Sequence, residues 1–537
     1  MFTTQGYGRI FWVLVAAAGL CLSGCTSIGE YVHNGFKVGP NYCPPGGPVA
    51  AHWIDAYDSH LRGDTQDLSC WWTVFRDPTL NQLIAHAYRQ NISLKEAGFR
   101  ILEARAQRGI AVGGLFPQTQ TLNGSTERVG LPTDQVGPGF PRFYNSYNVG
   151  FNLAWQLDFW GQFRRAIESA DAQLDASVAG YDEVLITLLS QVASNYVEIR
   201  SDQEQIAVLK ANAELQRGIL AIVDKRYKAG RVNELDVDQA ISNLKQVESQ
   251  IPPLEADVRQ ANDRLCVLLG LPPDDLVKCL GKTPIPTAPP SVAIGIPAQL
   301  LSRRPDIRQA ERTAAAQSAQ IGIAVSQAYP MVTIVGTVGW QSEQLSQLIT
   351  PASFNGTIGP TFQWNILNYG RLLNNDRLQE ARFRELVAAY QQTVLQAQSE
   401  VENGLASFLQ AQIQAKILEE SVTASQKAVN IVAKQYQAGT VDFNRVATIE
   451  LALVQQQQLL AIAQGSIAQG LIQTYLALGG GWELRCSPQD DTQPLGPIVP
   501  PPESPAKPTM PPALAPLAQP AGTVPEVLPT PTPKGSE

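Results

Sequence analysis

The strongest constraint on the fold of this chain is that it carries one long sequence unit twice. The segment RYKAGRVNELDV at 226–237 returns, more loosely, as QYQAGTVDFNRV at 435–446, and the tyrosines and glycines of the two copies lie 209 residues apart. Two further pairs share this offset: WQLDFWG with WNILNYG, and LCVLLG with TYLALG. A period this long indicates a duplicated half rather than a short solenoid repeat. The 537 residues therefore predict one architecture made of two related halves.

Composition excludes several classes of function. Charged residues make up 16% of the chain, whereas about 25% is typical of soluble proteins. The net charge is −8 and no basic block occurs, which argues against a nucleic-acid partner. All four histidines lie in the first sixth of the chain, before the landmarks that the two copies share. With no nucleophile–base pattern and no phosphate loop, we expect neither an enzyme nor a bound cofactor or metal.

The N-terminus has the features of an export signal. Arg9 precedes the apolar run IFWVLVAAAGLCL, which is followed by small residues, and this order is typical of a secretory signal peptide at 1–24. The sequence LSGC resembles the lipobox of bacterial lipoproteins, a resemblance that implies acylation of Cys25. The alternative is a signal anchor that happens to contain a cysteine. Acyl chains would hold the mature chain to a membrane.

Five cysteines remain in the mature chain: Cys43, Cys70, Cys266, Cys279 and Cys486. An exported protein meets oxidising conditions, which allow pairs such as Cys43–Cys70 or Cys266–Cys279. The sequence leaves the connectivity open, because an odd number leaves one thiol over.

Each half contains a very long predicted helix. Between Gly161 and Gly230 the sequence has no proline, is rich in Ala, Leu, Gln and Glu, and repeats apolar residues at helical spacing. The same pattern runs from 371 to 439. At 1.5 Å per residue, each helix would be about 100 Å long. Shorter return helices are expected at 233–270 and 442–478.

The two return helices should differ in one place. IPPLE at 251–255 predicts a break in the first, because proline removes a backbone donor and clashes with the preceding turn. The second copy has Ala461 and Ile462 at the corresponding positions.

Before each long helix, apolar residues alternate with small or polar ones at every second position. This alternation predicts two strands per half. The segment 147–157 alternates aromatic and aliphatic residues with small or polar ones, as do 331–341 and 354–366, and 117–129 does so weakly. Membrane strands must close into a barrel, and known barrels begin at about eight strands. Four strands per chain would therefore have to be pooled, and three copies would supply twelve. The alternative, an ordinary soluble sandwich, accounts less well for the aromatic faces and the long helices.

These segments resemble the TolC-like outer-membrane efflux factors, and most closely their NodT-type lipoprotein branch. The resemblance runs from Cys25 to about residue 484, and the RRPDI block and the double tyrosine–glycine turn are its most specific parts. The other matching motifs are VGPNY (38–42), WWTVFRDPTLNQLIAHAYRQN (71–91), LLSRRPDIRQAE (300–311) and ALGGGW (477–482).

The resemblance implies an α+β membrane protein in the cell outer membrane, lipid-anchored and extending into the periplasm. It implies a homotrimer with a twelve-stranded β-barrel, four strands per chain, continued by a long periplasmic α-helical barrel. It also implies docking to a periplasmic adaptor (membrane fusion) protein and an RND-type inner-membrane transporter. The expected function is a passive exit duct for small molecules or metal ions. The alternatives are a duct for a secreted protein and a structural lipoprotein without a pore.

In such a trimer, the duplicated turns would form the closed periplasmic end of the tunnel. Tyr227 and Gly230 mark the first turn, and Tyr436 and Gly439 mark the second. Glycine suits the left-handed backbone conformation that ends a helix, and the tyrosine is expected to pack the turn.

The gate pattern of the family is kept only in part. Nine residues after the second glycine, where family members often carry an acidic residue, this chain has Thr448, and five after it has Asn444. Nearby carboxylates are Asp442, Asp236 and Asp238. A cation-selective ring would need these residues or would be absent, and a solvated place in the first turn of the helix is the simpler interpretation of Asp442.

The expected division of the chain has five parts. These are a signal peptide (1–24), a lipid-anchored segment (25–75), a first repeat (76–285), a second repeat (286–484) and a proline-rich tail (485–537) that cannot build a core. Each repeat is expected to hold a helix, a β-hairpin, a long helix and a return helix.

Overall fold

The computed structural model describes residues 28–64, 67–134, 136–137, 141–281 and 283–486. The predicted signal peptide at 1–24, the predicted acylation site Cys25 and the tail from residue 487 onward lie outside these described residues.

Two helices of equal length dominate the molecule. Helix α4 spans Gln162–Lys228 and helix α10 spans Arg371–Gln437, each with 67 residues. Each begins after a glycine with positive φ, Gly161 at 81° and Gly370 at 80°. The predicted lengths and the 209-residue offset are confirmed, because proline-free sequence lets the backbone hydrogen bonds continue without interruption.

The return limbs differ as the prolines predicted. After the first long helix, α5 (Glu234–Ser249) and α6 (Ile251–Leu268) are separated at Gln250. After the second, α11 runs unbroken over Phe443–Ala477. The prolines of the first limb fall in the first turn of α6, where the missing backbone donors have no intrahelical partner to lose.

Shorter elements complete the described chain. They are α1 (Ile28–His33), β1 (Leu61–Arg62), α2 (Pro78–Gln90), α3 (Ile92–Gly113), α7 (Leu276–Leu280), β4 (Val292–Ala293), α8 (Leu300–Arg303) and α9 (Pro305–Ser326), with 3₁₀ turns at Trp71–Phe75, Pro297–Gln299, Leu345–Gln347, Pro351–Ser353 and Trp482–Cys486.

The four predicted strands form one antiparallel sheet in the order β2-β3-β5-β6. The strands are β2 (Thr119–Gly130), β3 (Phe143–Gln156), β5 (Met331–Ser342) and β6 (Phe354–Gln363). β6 ends at Gln363, three residues before the end of the predicted 354–366. The indole of the next residue, Trp364, donates to the Ala328 carbonyl at 3.0 Å. Each half supplies one hairpin, and β3 pairs with β5 across the junction of the halves.

The helices lie side by side in the same order as the strands. Helix α3 packs on α4, α4 packs on α9, and α9 packs on α10. These are the helices that precede β2, follow β3, precede β5 and follow β6. The strands and these helices of one chain therefore form two layers that end at the same two edges. One edge is made by β2 and α3, and the other by β6 and α10.

The RRPDI block starts helix α9, with Pro305 at its first position and Asp306 in its first turn, which is the usual chemistry of a helix start. The preceding Arg304 is buried and binds the Asp306 and Glu400 carboxylates, each at 2.7 Å. It also donates to the Ala477 carbonyl at 2.8 Å. This arginine therefore ties α9 and α10 to the last turn of α11, which is a structural role.

The five cysteines among the described residues are free thiols, so neither disulfide pairing that the sequence left open forms. The buried Cys266 thiol faces the backbone of Asp274 instead, at 3.4 Å from the carbonyl oxygen, while Cys279 is exposed.

By length and composition alone, α11 is apolar enough to cross a membrane, which the sequence analysis did not predict. In the described structure α11 packs on α4 and α10, and 44% of its apolar window is buried.

Candidate functional site at the paired helix tips

We call residues 226–237 the first tip and residues 435–446 the second tip. In both, the long helix ends in the same hydrogen-bonded turn. In the first, Gly230 N–H donates to the Tyr227 carbonyl at 2.8 Å and Arg231 N–H donates to Arg226 at 2.9 Å. In the second, Gly439 N–H and Thr440 N–H repeat this pattern at 3.0 Å each. These are Schellman motifs, which satisfy the last carbonyls of a helix.

The glycines of the tips are required by backbone conformation. Gly230 has φ of 67° and Gly439 has φ of 76°, a region that residues with a Cβ adopt at a cost. A Cβ added to either glycine would meet open space. The turn thus constrains φ and leaves the outer surface of each tip uncrowded.

The two tip tyrosines have different surroundings, which the repeat did not predict. Tyr436 is 5% exposed and packs edge-on against Phe443, with ring centroids 5.9 Å apart. Tyr227 is 42% exposed. The expectation that the tyrosine packs the turn is therefore correct for the second tip and wrong for the first.

Arg226 joins the two tips within one chain. Its guanidinium carbon lies 4.5 Å from the centroid of the Tyr436 ring, and its Nη2 donates to the Gln437 carbonyl at 2.9 Å. Such a cation–π contact contributes roughly 0.5–1 kcal/mol at an exposed site. Sequence reasoning missed this residue. The available signal was a difference between the copies, since the counterpart of Arg226 is Gln435.

The candidate gate carboxylates act locally at helix starts. The Asp442 side chain accepts from Arg445 N–H at 3.0 Å and caps α11, so it lies at the N-cap rather than in the first turn. Asp236 accepts from Asn233 N–H at 3.4 Å. Asp238 is exposed. Carboxylates are favoured here by the helix dipole.

Asn444 and Thr448 lie on one exposed face of α11, one turn apart, as their spacing predicts. The Thr448 hydroxyl donates to the Asn444 carbonyl at 2.9 Å. The Asn444 side-chain oxygen accepts from Gln239 of α5 at 3.2 Å, a second link between the tips that the sequence did not reveal.

The core beneath the tips is apolar and is shared by four helices. It combines residues of α4, α5, α10 and α11, so neither helical hairpin is packed on its own. The members are Val223, Ala240, Val432, Tyr436, Phe443, Val446 and Ala447.

At the other end of the long helices, the sheet has one apolar and one polar face. The register places Phe151 opposite Leu122 and Val338, on the same face as Trp340 and Ile358. The opposite face has one central row made of Asn123, Gly150, Gly339 and Asn355. Phe151 is 42% exposed, so the apolar face is not covered within one chain.

Across the described ranges, no group of three or more His, Cys, Asp or Glu side chains is arranged to hold a metal ion. The arrangement instead offers a long helical wall, two linked tips and a two-faced sheet, which are the parts of a conduit.

Comparison with known proteins gives the same result. A sequence model described as outer membrane efflux protein matches residues 83–271 and 296–480, one segment in each half. The pyoverdine export outer membrane protein OpmQ of Pseudomonas putida is 31% identical over 426 residues, which cover 77% of this chain and 88% of OpmQ. Nodulation protein T of Rhizobium leguminosarum bv. trifolii is 30% identical over 459 residues, covering 84% and 92%.

Among solved structures, the outer-membrane channel OprN superposes with a TM-score of 0.78 at 30% sequence identity. The match covers 83% of this chain and 99% of OprN. The fold that the tips and the sheet belong to is therefore that of a known outer-membrane channel.

Proposed function

Because the chain belongs to the outer membrane efflux protein family, we propose that three copies assemble into a passive exit duct. In this proposal the pooled strands form a twelve-stranded barrel in the outer membrane. The long helices continue it into the periplasm as an α-helical barrel that ends at the tips. The observation that carries the proposal is that strands and helices follow one order, so that both edges of the protomer are open in both layers.

Exposed apolar residues on the two edges support closure by copies of the chain. On one edge, Ile92, Phe99 and Ile110 of α3 are 69%, 69% and 77% exposed. On the other, Leu373 and Leu395 of α10 are each 49% exposed. The strand edges β2 and β6 also have free backbone donors and acceptors, which lipid does not tolerate. A head-to-tail contact between unlike edges closes into a ring.

The apolar face of the sheet would meet lipid and the polar face would line the lumen. The polar face has small residues where the strands approach most closely, since a Cβ on Gly339 would lie 2.7 Å from the Gly150 Cα. Polar lumen and apolar exterior are the usual arrangement in outer-membrane barrels.

The tips would form the closed end of the duct. Tyr227, Gly230, Tyr436 and Gly439 shape the turns, and the exposed face of Asn444 and Thr448 is our candidate for the narrowest lining. Asp442 and Asp236 fix helix starts, and Asp238 remains a candidate for lining the pore. An adaptor and an RND-type transporter would dock here and supply the energy.

The cargo would be small molecules or metal ions, as the name of OpmQ indicates for pyoverdine in that relative. The lipid anchor at Cys25 rests on LSGC alone. The five-part division of the chain also remains a proposal.

Single-channel recording tests the duct. Purified full-length protein in a planar bilayer should conduct in units that correspond to trimers, with the oligomer measured by light scattering of the same sample. Trimers that never conduct would favour the structural lipoprotein. The secretion duct would be favoured if the pores conduct ions but deletion of the gene halts the release of a protein rather than of small solutes.

A further inference from the structure

One carboxylate lies inside the helical packing just beneath the second tip. Glu450 of α11 is 4% exposed. It lies one turn after Val446 of the core beneath the tips and one turn before Val454, which packs with Leu209 and Leu244. Glu450 thus occupies a position of the apolar stripe of α11 at which burial strongly disfavours a charge.

The helices that pack on this stripe present no charged side chain to it in the described chain. Their buried positions at this height carry apolar residues and three polar but uncharged ones. These positions are Asn212, Ala213, Gln216 and Val223 of α4, Ala240, Leu244 and Val247 of α5, and Val429, Val432 and Tyr436 of α10. The phenol of Tyr436 is the sole titratable group among them.

The charged residues of these helices at the same height lie away from Glu450, in ion pairs at the surface or exposed to solvent. Arg217 of α4 binds Glu248 of α5 at 2.6 Å, and Lys210 binds Glu255 at 3.0 Å. Lys427 and Lys434 of α10 are exposed. Burial alone raises the pKa of Glu450, to about 8. Packed as described, the carboxyl therefore holds its proton at neutral pH.

We propose that Glu450 makes the packing of α11 against α4 and α5 proton-dependent, so that the packed seam binds a proton at this carboxyl and separation of the helices releases it. We call this contact between α4, α5 and α11 the tip seam. The inference rests on the proposed function only where it identifies seam separation with opening of a duct.

The sign follows from the two states. In the packed seam the pKa of the Glu450 carboxyl is raised. The stabilisation of the packed seam by the bound proton is therefore fully present below the ordinary pKa of about 4.5 and is lost as the pH rises towards about 8. Linkage allows the opening equilibrium to change by up to tenfold per pH unit within that window. Acidic conditions therefore favour closure, and alkaline conditions favour separation.

Amide hydrogen exchange on the full-length protein measures this directly. After correction for the intrinsic pH dependence of exchange, protection of 443–457 should fall up to about a hundredfold between pH 6 and pH 8. Segment 463–477 of the same helix serves as the internal reference. In Glu450→Gln the amide cannot ionise, so protection of 443–457 should stay high at both pH values. Glu450→Leu should behave likewise, which guards against a folding defect specific to the amide.

Glu420→Gln, a change at an exposed residue of α10, is the matched control and should keep the pH dependence of the wild type. Wild-type protection that is constant with pH, or an equal loss in Glu450→Gln, overturns the inference. Conductance recorded on the same samples separates the two proposals. A pH-dependent seam in a protein that never conducts refutes the duct alone, and conducting pores with a pH-independent seam refute the role of Glu450 alone.

Discussion

The two tips of the molecule have the same backbone turn but different side-chain packing around their tyrosines. Both long helices end in the same Schellman turn on a glycine with positive φ. In the second tip, however, the tyrosine is buried against Phe443 and Arg226, whereas the first tip leaves its tyrosine 42% exposed. The duplicated sequence thus preserves what the turn requires and lets the side-chain packing diverge.

The return limbs differ in the same way. The first is divided at Gln250 into α5 and α6, and the second is a single helix of 35 residues. The continuous limb also carries the buried Glu450 and contributes four of the residues that pack beneath the tips, which are Phe443, Val446, Ala447 and Val454. We infer that the second half supplies most of the core directly beneath the tips and that the first half packs against it.

The largest effect should come from removing the buried ring. Tyr436→Ala should destabilise the second tip by about 3–5 kcal/mol, the cost of truncating a buried aromatic side chain. Tyr227→Ala should change local stability by no more than about 0.5 kcal/mol, as at an ordinary surface position. Hydrogen exchange in detergent-solubilised protein measures both, over 429–447 for Tyr436→Ala and over 220–237 for Tyr227→Ala.

Tyr436→Phe sharpens the test. The Tyr436 hydroxyl is buried without a hydrogen-bond partner among the described residues, so its removal should be neutral or slightly stabilising. Equal losses in Tyr436→Ala and Tyr227→Ala would mean that the two tips pack alike in the assembled protein.

The helix break of the first return limb can be introduced into the second by a proline at the corresponding position. Ala461 lies 209 residues after Pro252 and is 3% exposed inside α11. Ala461→Pro should cost about 3 kcal/mol or more, because proline deletes an intrahelical hydrogen bond and clashes with the previous turn. Pro252→Ala should change stability by less than about 1 kcal/mol, since Pro252 lies in a first turn. Circular dichroism during thermal unfolding ranks the variants, and similar losses in both would contradict the assigned break.

The hairpins of the two halves test the proposed faces of the sheet. Phe151→Arg should destabilise the assembled barrel by about 2–4 kcal/mol near the middle of the bilayer. Asn152→Arg lies on the opposite face and should alter conductance while the trimer persists. Heat-resistant trimer on gels and single-channel recording give the two readouts. Equal loss of trimer in both variants would show that the faces are wrongly assigned.

Much of this fold was predictable because its sequence patterns extend over many residues and glycines mark the ends of the long helices. Proline-free stretches bounded by Gly161, Gly230 and Gly439 defined the helices to within a few residues, and strict alternation defined the strands. The asymmetry of the tyrosines was not predictable, since burial depends on which neighbouring helix comes near. Arg226 and Glu450 were missed for that reason: each acts across helices that are distant in sequence.

The smallest structural effect and the most selective functional one should come from the exposed face of α11. Thr448 lies one turn from Asn444, and its hydroxyl bonds only to the backbone of its own helix, so Thr448→Asp should fold as the wild type does. If this face lines the duct, a trimer gains three carboxylates close together, and their repulsion should loosen the closed end unless a cation binds between them. Conductance should then become sensitive to divalent cations added from the tip side.

Asp442→Asn provides the contrast within the same tip. The Asp442 carboxylate already accepts from the Arg445 N–H at the start of α11, and asparagine caps a helix about as well. Asp442→Asn should therefore leave unchanged both the conductance and its block by divalent cations. If Thr448→Asp also leaves both unchanged, the face of Asn444 and Thr448 does not line the duct. The constriction must then be sought on the first tip and in the helix α5 that follows it, where the exposed Tyr227 and Asp238 would be the next residues to substitute.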